Sequence, residues 1–155
     1  MAGAETSGRC SRRIYGAEMA PEDPRARRLR LGLAAFVGFA GVMHFANPKF
    51  FDDIVPTWMP GTERTTTYIS GAAELACAAL VANRRTAHLG GWATLLLFIG
   101  VYPANVQMTI DVGRPTSAQD WAIWARTPLQ IPMFLWARRV ARDAARFAKA
   151  VPTQA

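Results

Sequence analysis

Four long segments that are almost free of charged residues constrain the fold of this chain more than any other feature. These segments are residues 31–48, 65–83, 86–110 and 121–137. Together they contain only two charged residues, Glu74 and Arg126. A helix needs roughly 20 mostly apolar residues to cross a bilayer, with a range of about 17–25, and each segment reaches that range. The sequence therefore predicts an all-α fold, an integral membrane four-helix bundle. A soluble bundle could use the other three segments, but residues 86–110 are too uniformly uncharged for an amphipathic helix.

The predicted transmembrane domain covers residues 29–140 and lies between two basic tails. Its four spans are expected at about residues 29–47, 65–83, 87–110 and 121–139. Residues 1–28 are polar and charged, and they lack the apolar run of a secretory signal peptide. They predict a disordered cytosolic tail. Residues 141–155 predict a second basic tail in the cytosol.

The distribution of basic residues predicts the topology. Fourteen of the 18 Lys and Arg residues precede the first span, separate the second from the third, or lie at or beyond the end of the fourth. Four alternating spans would place all fourteen on one side of the membrane. The positive-inside rule then makes both termini cytoplasmic in a multi-pass plasma-membrane protein. The net charge of +7 thus predicts contact with the lipid bilayer and its anionic headgroups. No recognition module for nucleic acid is present in the sequence.

The connection after the first predicted span is unusually apolar for an external loop. Its large apolar residues recur at helical spacing: Phe50, Phe51, Ile54, Val55, Trp58 and Met59. Pro56 and Pro60 would bend such a helix. The pattern predicts a short interfacial element. It is either a loop that follows the membrane surface or a lid over a site.

Each predicted span carries at least one strongly polar side chain, which is costly in a bilayer unless it is paired or functional. The set consists of His44, Glu74, Asn105, Arg126 and Gln130. A rise of about 1.5 Å per residue and the tilt of Cα–Cβ bonds toward each helix N-terminus bring these side chains together in the outer half of the bundle. Candidate residues for the wall of such a site are Ser70, Tyr102 and Trp124.

The charges predict an ion pair between Glu74 and Arg126, because each would offset the burial cost of the other. Asn105, Gln130 and His44 could complete the hydrogen bonds. Two interpretations stay open: the network fixes helix register, or it lines a polar pocket that opens outward. In the second case His44 is a candidate proton carrier. One His and one Glu do not specify a metal site.

The two cysteines, Cys10 and Cys77, form no CxxC motif and no zinc spacing. The sequence also lacks a nucleotide-binding fingerprint and a haem motif. These observations favour a chain that has no catalytic activity by itself. No catalytic residue is assigned, and the sequence makes no cofactor evident.

An ordered set of short motifs resembles the DoxX-like family of small bacterial membrane proteins. The motifs are HFANP at 44–48, SGAAEL at 70–75, the Arg84–Arg85 pair, PAN at 103–105 and RTPLQ at 126–130. The resemblance extends over about residues 31–137 and implies a four-helix membrane fold. It also implies that Glu74, Asn105, Arg126 and Gln130 occupy positions that matter in the family.

The resemblance implies an accessory, partner-dependent subunit linked to redox chemistry, since some relatives are similar to subunits of thiosulfate:quinone oxidoreductases. A quinone or a small sulfur compound would then occupy the polar site, and a redox protein or a second copy of the chain would be the partner. Two alternatives stand beside this hypothesis. One is a small-ligand-binding or transport protein that uses protonation of Glu74 or His44. The other is a structural or assembly factor without catalytic activity.

Overall fold

The computed structural model describes residues 22–150, and every regular element in this range is an α-helix. The five helices are α1 (Pro24–Ala46), α2 (Pro48–Asp52), α3 (Glu63–Ala82), α4 (Ala87–Val112) and α5 (Ala118–Ala150). The prediction of an all-α fold is therefore confirmed for the described residues. The four long helices cover the four predicted spans to within one residue, and α2 lies in the predicted interfacial element.

Helices α1 and α5 extend well beyond the predicted spans. Helix α1 begins at Pro24 rather than near residue 29, because the Asp23 side chain accepts a hydrogen bond from the Arg25 backbone and Pro24 occupies the first turn. Helix α5 continues past residue 139 to Ala150. An i,i+4 ion pair of 3.1 Å between Arg139 and Asp143 supports this extension. The remainder of the two predicted tails, residues 1–21 and 151–155, lies outside the described residues.

The four long helices pack in a closed ring. Helix α1 packs against α3, α3 against α4, α4 against α5, and α5 returns to α1, while α2 packs on α3 and α1. Within residues 22–150, α1 and α4 are long and apolar enough to cross a membrane by length and composition. Helices α3 and α5 do not meet the same criterion because they carry more polar residues.

Glycines set the closest helix contacts. A Cβ atom on Gly71 of α3 would lie 2.6 Å from the His44 Cβ of α1. At the next interface, a Cβ on Gly90 would lie 2.5 Å from the Val81 backbone nitrogen, and one on Gly91 would lie 2.7 Å from that of Ala141. Small residues thus allow the backbones of α1–α3, α3–α4 and α4–α5 to approach closely, as in helix pairs of membrane proteins.

The basic ends of the helices converge. Arg30 of α1 is buried, pairs with Glu22 at 2.9 Å, and donates hydrogen bonds to the carbonyls of Val81 and Ala82 at the end of α3. The hydrogen bond from this guanidinium lowers the pKa of the Glu22 carboxyl. Trp136 of α5 donates to the α1 backbone at 2.9 Å. Arg30 therefore satisfies carbonyls that a helix C-terminus leaves without intrahelical partners.

Large apolar side chains cover the outside of all four long helices. Examples are Phe39 at 68%, Leu96 at 67%, Ile110 at 66%, Ile69 at 64% and Leu135 at 59%. A soluble monomer rarely exposes a contiguous apolar surface of this kind. The outer surface is therefore suited to contact with lipid or with another protein.

Candidate functional site

A cavity of about 320 Å³ lies among the four long helices, and the segment formed by α2 and the following loop contributes part of its wall. All five predicted polar residues line it: His44, Glu74, Asn105, Arg126 and Gln130. Ser70 lines it as well. The rest of the wall is largely apolar and includes three flexible methionines, Met59, Met108 and Met133.

His44 and Glu74 form the closest contact between ionisable groups in this cavity. The His44 Nδ1 atom lies 2.9 Å from the Ala40 carbonyl oxygen and 3.1 Å from Glu74 Oε2. The first contact has hydrogen-bond geometry, so Nδ1 carries the proton and donates to Ala40. The second satisfies the distance of an ion pair but not the directions of a hydrogen bond, and the buried Oε2 atom has no hydrogen-bond partner among the described residues. We therefore treat the His44–Glu74 contact as electrostatic.

The predicted ion pair between Glu74 and Arg126 is not formed. Arg126 lines the cavity, but within residues 22–150 no acidic side chain lies within 4 Å of its guanidinium, and it makes no hydrogen bond there. The prediction was wrong because it counted charges and left out the contact between α1 and α3. Gly71 lets α1 come close to α3. This close approach places the His44 ring, rather than Arg126, beside the Glu74 carboxylate.

Two of the predicted polar residues join α4 to α5. Asn105 Nδ2 donates to Gln130 Oε1 at 3.1 Å, and Gln130 Nε2 donates to the Phe98 carbonyl at 2.9 Å. A hydroxyl contact of 2.8 Å between Thr109 and Thr127 continues this ladder. The side-chain amides of Asn105 and Gln130 are thus hydrogen-bonded to each other. The ionisable residues of the set can still bind a molecule in the cavity.

Two of the three candidate wall residues lie elsewhere. Tyr102 packs edge-on against Phe134, with ring centroids 5.8 Å apart, and is not part of the cavity wall. Trp124 donates through Nε1 to the Gly113 carbonyl at 2.9 Å and is likewise outside the wall. Tyr102 follows the wall residue Phe98 by one helical turn, but its ring lies against Phe134 of α5 rather than in the cavity wall.

The outer wall of the cavity is held in place by contacts of α2 with α1 and α3. Phe51 stacks on the His44 ring with centroids 3.8 Å apart. The neighbouring Asp52 accepts a hydrogen bond from Thr67 at 2.7 Å and pairs with Arg64 at 2.8 Å. Burial raises the pKa of Asp52, but these two donors outweigh it and hold that pKa below its usual value. Of the two interpretations of this segment, the structure favours one in which it covers a cavity.

Several wall residues were not among the predicted site residues. They are apolar or weakly polar: Phe36, Thr66, Thr67, Phe98, Met108 and Met133. The residues on α4 could have been found, because Phe98, Val101 and Met108 share a helical face with Asn105. The same argument finds residues on the other helices, since Phe36 lies two turns before His44, Thr67 two turns before Glu74 and Met133 two turns after Arg126. No three His, Cys, Asp or Glu side chains are grouped as a metal site in the part of the chain that the structure describes.

The fold and the site define a small all-α protein with an internal cavity that combines apolar walls with a few polar side chains. A family model described as a domain of unknown function, DUF8561, matches residues 33–141. This match covers more than half of the chain, and the chain belongs to that family. No curated protein and no solved structure matches the chain.

Proposed function

We propose that this chain is a four-helix membrane protein of the DoxX-like kind that binds a small amphipathic molecule in its cavity. The observation that carries the proposal is the cavity itself, in which polar side chains from all four long helices meet an otherwise apolar wall. Binding sites for small molecules combine these features: a concave, mostly apolar surface and a few polar groups that orient the ligand.

Three observations support the membrane setting. Helices α1 and α4 have the length and composition of membrane spans. The outside of the ring is apolar on all four long helices. Arg30, the Arg84–Arg85 turn and the last part of α5 lie at the same end of the ring: Arg30 contacts the end of α3, and Arg84 stacks over Phe147 at 5.8 Å. This end corresponds to the cytoplasmic side under the positive-inside rule.

The resemblance to the DoxX-like family and the position of the polar side chains support a redox role. A quinone head group carries oxygen acceptors that Arg126 could bind, and its ring could lie against the apolar wall. In this account the chain binds and orients the quinone or sulfur compound, and a partner redox protein supplies or takes the electrons. The chain would then be an accessory subunit in the plasma membrane, with both termini cytoplasmic.

Titration of the purified protein in nanodiscs with decylubiquinone tests this proposal. Quenching of tryptophan fluorescence should saturate for the wild type. Ala104→Phe, which puts a large ring into the cavity from α4, should abolish the saturable component. Leu96→Phe is the matched control, because Leu96 lies on the outside of the same helix and is 67% exposed. Equal quenching in both variants would mean that the cavity does not bind this probe.

The contact between His44 and Glu74 favours a second candidate, a transporter that moves a ligand together with a proton. A buried carboxylate beside an imidazole can change its protonation state when a ligand arrives. Ligand flux in proteoliposomes should then fall in Glu74→Gln and remain in Ser70→Ala, a smaller change in the same wall. Unchanged flux in Glu74→Gln would exclude this mechanism.

A further inference from the structure

Arg126 differs from arginines that contact other elements of the fold. Arg30 is paired with Glu22 and with two carbonyl groups, and Arg64 is paired with Asp52. Arg126 has neither an ion pair nor a hydrogen bond with any side chain or carbonyl in residues 22–150. It nevertheless lines the cavity. The fold thus gives this one wall cation no protein acceptor among the described residues.

A guanidinium in such a position has a strong tendency to bind an acceptor. It keeps its charge in proteins and presents five N–H donors in a fixed plane, which match the two oxygens of a carboxylate. Removing this charge from water without a partner is costly. Glu74 is the opposite charge in the cavity, but its carboxylate lies against His44 at 3.1 Å and not within ion-pair distance of Arg126. The donors of Arg126 are therefore available to a molecule in the cavity.

The surroundings of Arg126 define the rest of such a molecule. Leu129 and Met133, at i+3 and i+7 on the same face of α5, line the cavity beside it. Phe36 and Ala40 provide apolar wall on α1. An acceptor bound at Arg126 would therefore be attached to an apolar body. Arg126 is the one arginine or lysine in the described wall, so a second negative charge on the ligand would lack a cation and would be repelled by Glu74, which favours a monoanion over a dianion.

We propose that the cavity takes a small monoanion with an apolar body, of the class of medium-chain carboxylates, and that its anionic oxygens bind Arg126. This inference rests on the proposed function, because it assigns a chemical class to the ligand of the same cavity. The shared chemistry could have two sources. One is a fatty acid that enters from the bilayer, and the other is a water-soluble organic acid.

The test compares octanoate with octanamide, which has the same shape but no charge. Calorimetric titrations use the full chain in nanodiscs, with the signal of empty nanodiscs subtracted. We expect the wild type to bind octanoate on the order of tenfold more tightly than octanamide, the difference typical of a charge-assisted hydrogen bond. Arg126→Gln should remove this preference, and Arg126→Lys should retain part of it. Arg114→Gln, on the exposed loop before α5, is the matched control and should behave as the wild type.

The outcomes separate this inference from the proposed function. If the wild type binds both probes equally, the cavity binds ligands but the anion inference is overturned. If it binds neither, both are overturned. The wild-type preference is decisive even if Arg126→Gln does not fold. A series from butanoate to palmitate then identifies the source: affinity that still rises at palmitate indicates a bilayer fatty acid, and affinity that is highest at a short member indicates a water-soluble acid.

Discussion

The imidazole of His44 on α1 lies against the carboxylate of Glu74 on α3, with 3.1 Å between Nδ1 and Oε2. Both side chains are largely buried, with 11% and 17% of their surface exposed. Phe51 covers the other side of the imidazole. These contacts therefore join α1, α2 and α3 at the cavity wall. A change in the His44–Glu74 contact would affect the packing of all three helices.

This contact predicts an energetic coupling between His44 and Glu74. In a double-mutant cycle with His44→Ala and Glu74→Gln, the free energies of unfolding should be non-additive by about 1 kcal/mol, within the range of roughly 0.5–3 kcal/mol for residues in contact. Reversible unfolding of the four proteins in the same detergent measures it. The control cycle combines Glu74→Gln with Arg126→Gln, which are not in ion-pair contact, and should show the smaller coupling. A larger coupling in the control cycle would contradict the geometry.

The contact of α4 with α5 predicts that Gly91 accepts no side chain. A Cβ atom there would lie 2.7 Å from the Ala141 backbone nitrogen, and the backbone cannot move aside as a flexible side chain can. Gly91→Ala should lower the free energy of unfolding by about 1–3 kcal/mol, the usual cost of overpacking. Gly100→Ala on the same helix is the control, because a Cβ there has no neighbour within 4 Å. Equal stability of the two variants would show that α4 and α5 are further apart than described.

The lowered pKa of Asp52 predicts a loss of stability in acid. Because the folded-state pKa lies below the ordinary value of about 4, the stabilisation is complete above that value and disappears as the pH falls through the folded-state pKa. Asp52→Asn should therefore show a shallower fall in unfolding free energy below about pH 4. Thr67→Val, which removes the 2.7 Å hydrogen bond, should make this fall smaller and end it at a higher pH, because the folded-state pKa moves toward the unfolded-state value. Thr65→Val, on an exposed position of the same helix, should leave it unchanged.

The proposed topology predicts which positions a membrane-impermeant maleimide reaches in intact cells. In a background with Cys10→Ser and Cys77→Ser, Thr57→Cys should be labelled, because it lies in the exposed loop after α2. Arg85→Cys, in the turn between α3 and α4, should be labelled only after the cells are permeabilised. The reverse pattern would place the termini outside. Labelling of both positions in intact cells would argue against a membrane-spanning arrangement.

The sequence predicted the helices better than the contacts between them. Long uncharged segments locate helices such as α4 without tertiary information, because the length of an apolar run reflects the environment of the whole segment. The end of α5 was harder to predict. The composition of this segment suggests a solvated tail, whereas the pair of Arg139 and Asp143 favours a helix. Propensity and local ion pairs act on a finer scale than the span pattern.

Prediction of the site succeeded for position and failed for pairing. The rarity of polar residues in apolar segments brought Glu74 and Arg126 into one predicted cluster, and both line the cavity. Which side chain contacts which depends on helix rotation and separation to within about an ångström, and the close approach at Gly71 decides it. The directions of Tyr102 and Trp124 depend on the same rotation. A single sequence does not contain this information.

Photolabelling tests whether the cavity binds a small amphipathic molecule. A diazirine-bearing octanoate is activated in nanodiscs with and without excess unlabelled octanoate, and the labelled residues are mapped by mass spectrometry. We expect labelling at inner-wall residues such as Val37, Gln130 and Met133, and excess unlabelled octanoate should reduce it. Labelling that is confined to outward-facing residues such as Leu96 and Ile99, and that unlabelled octanoate does not reduce, would contradict binding in the cavity.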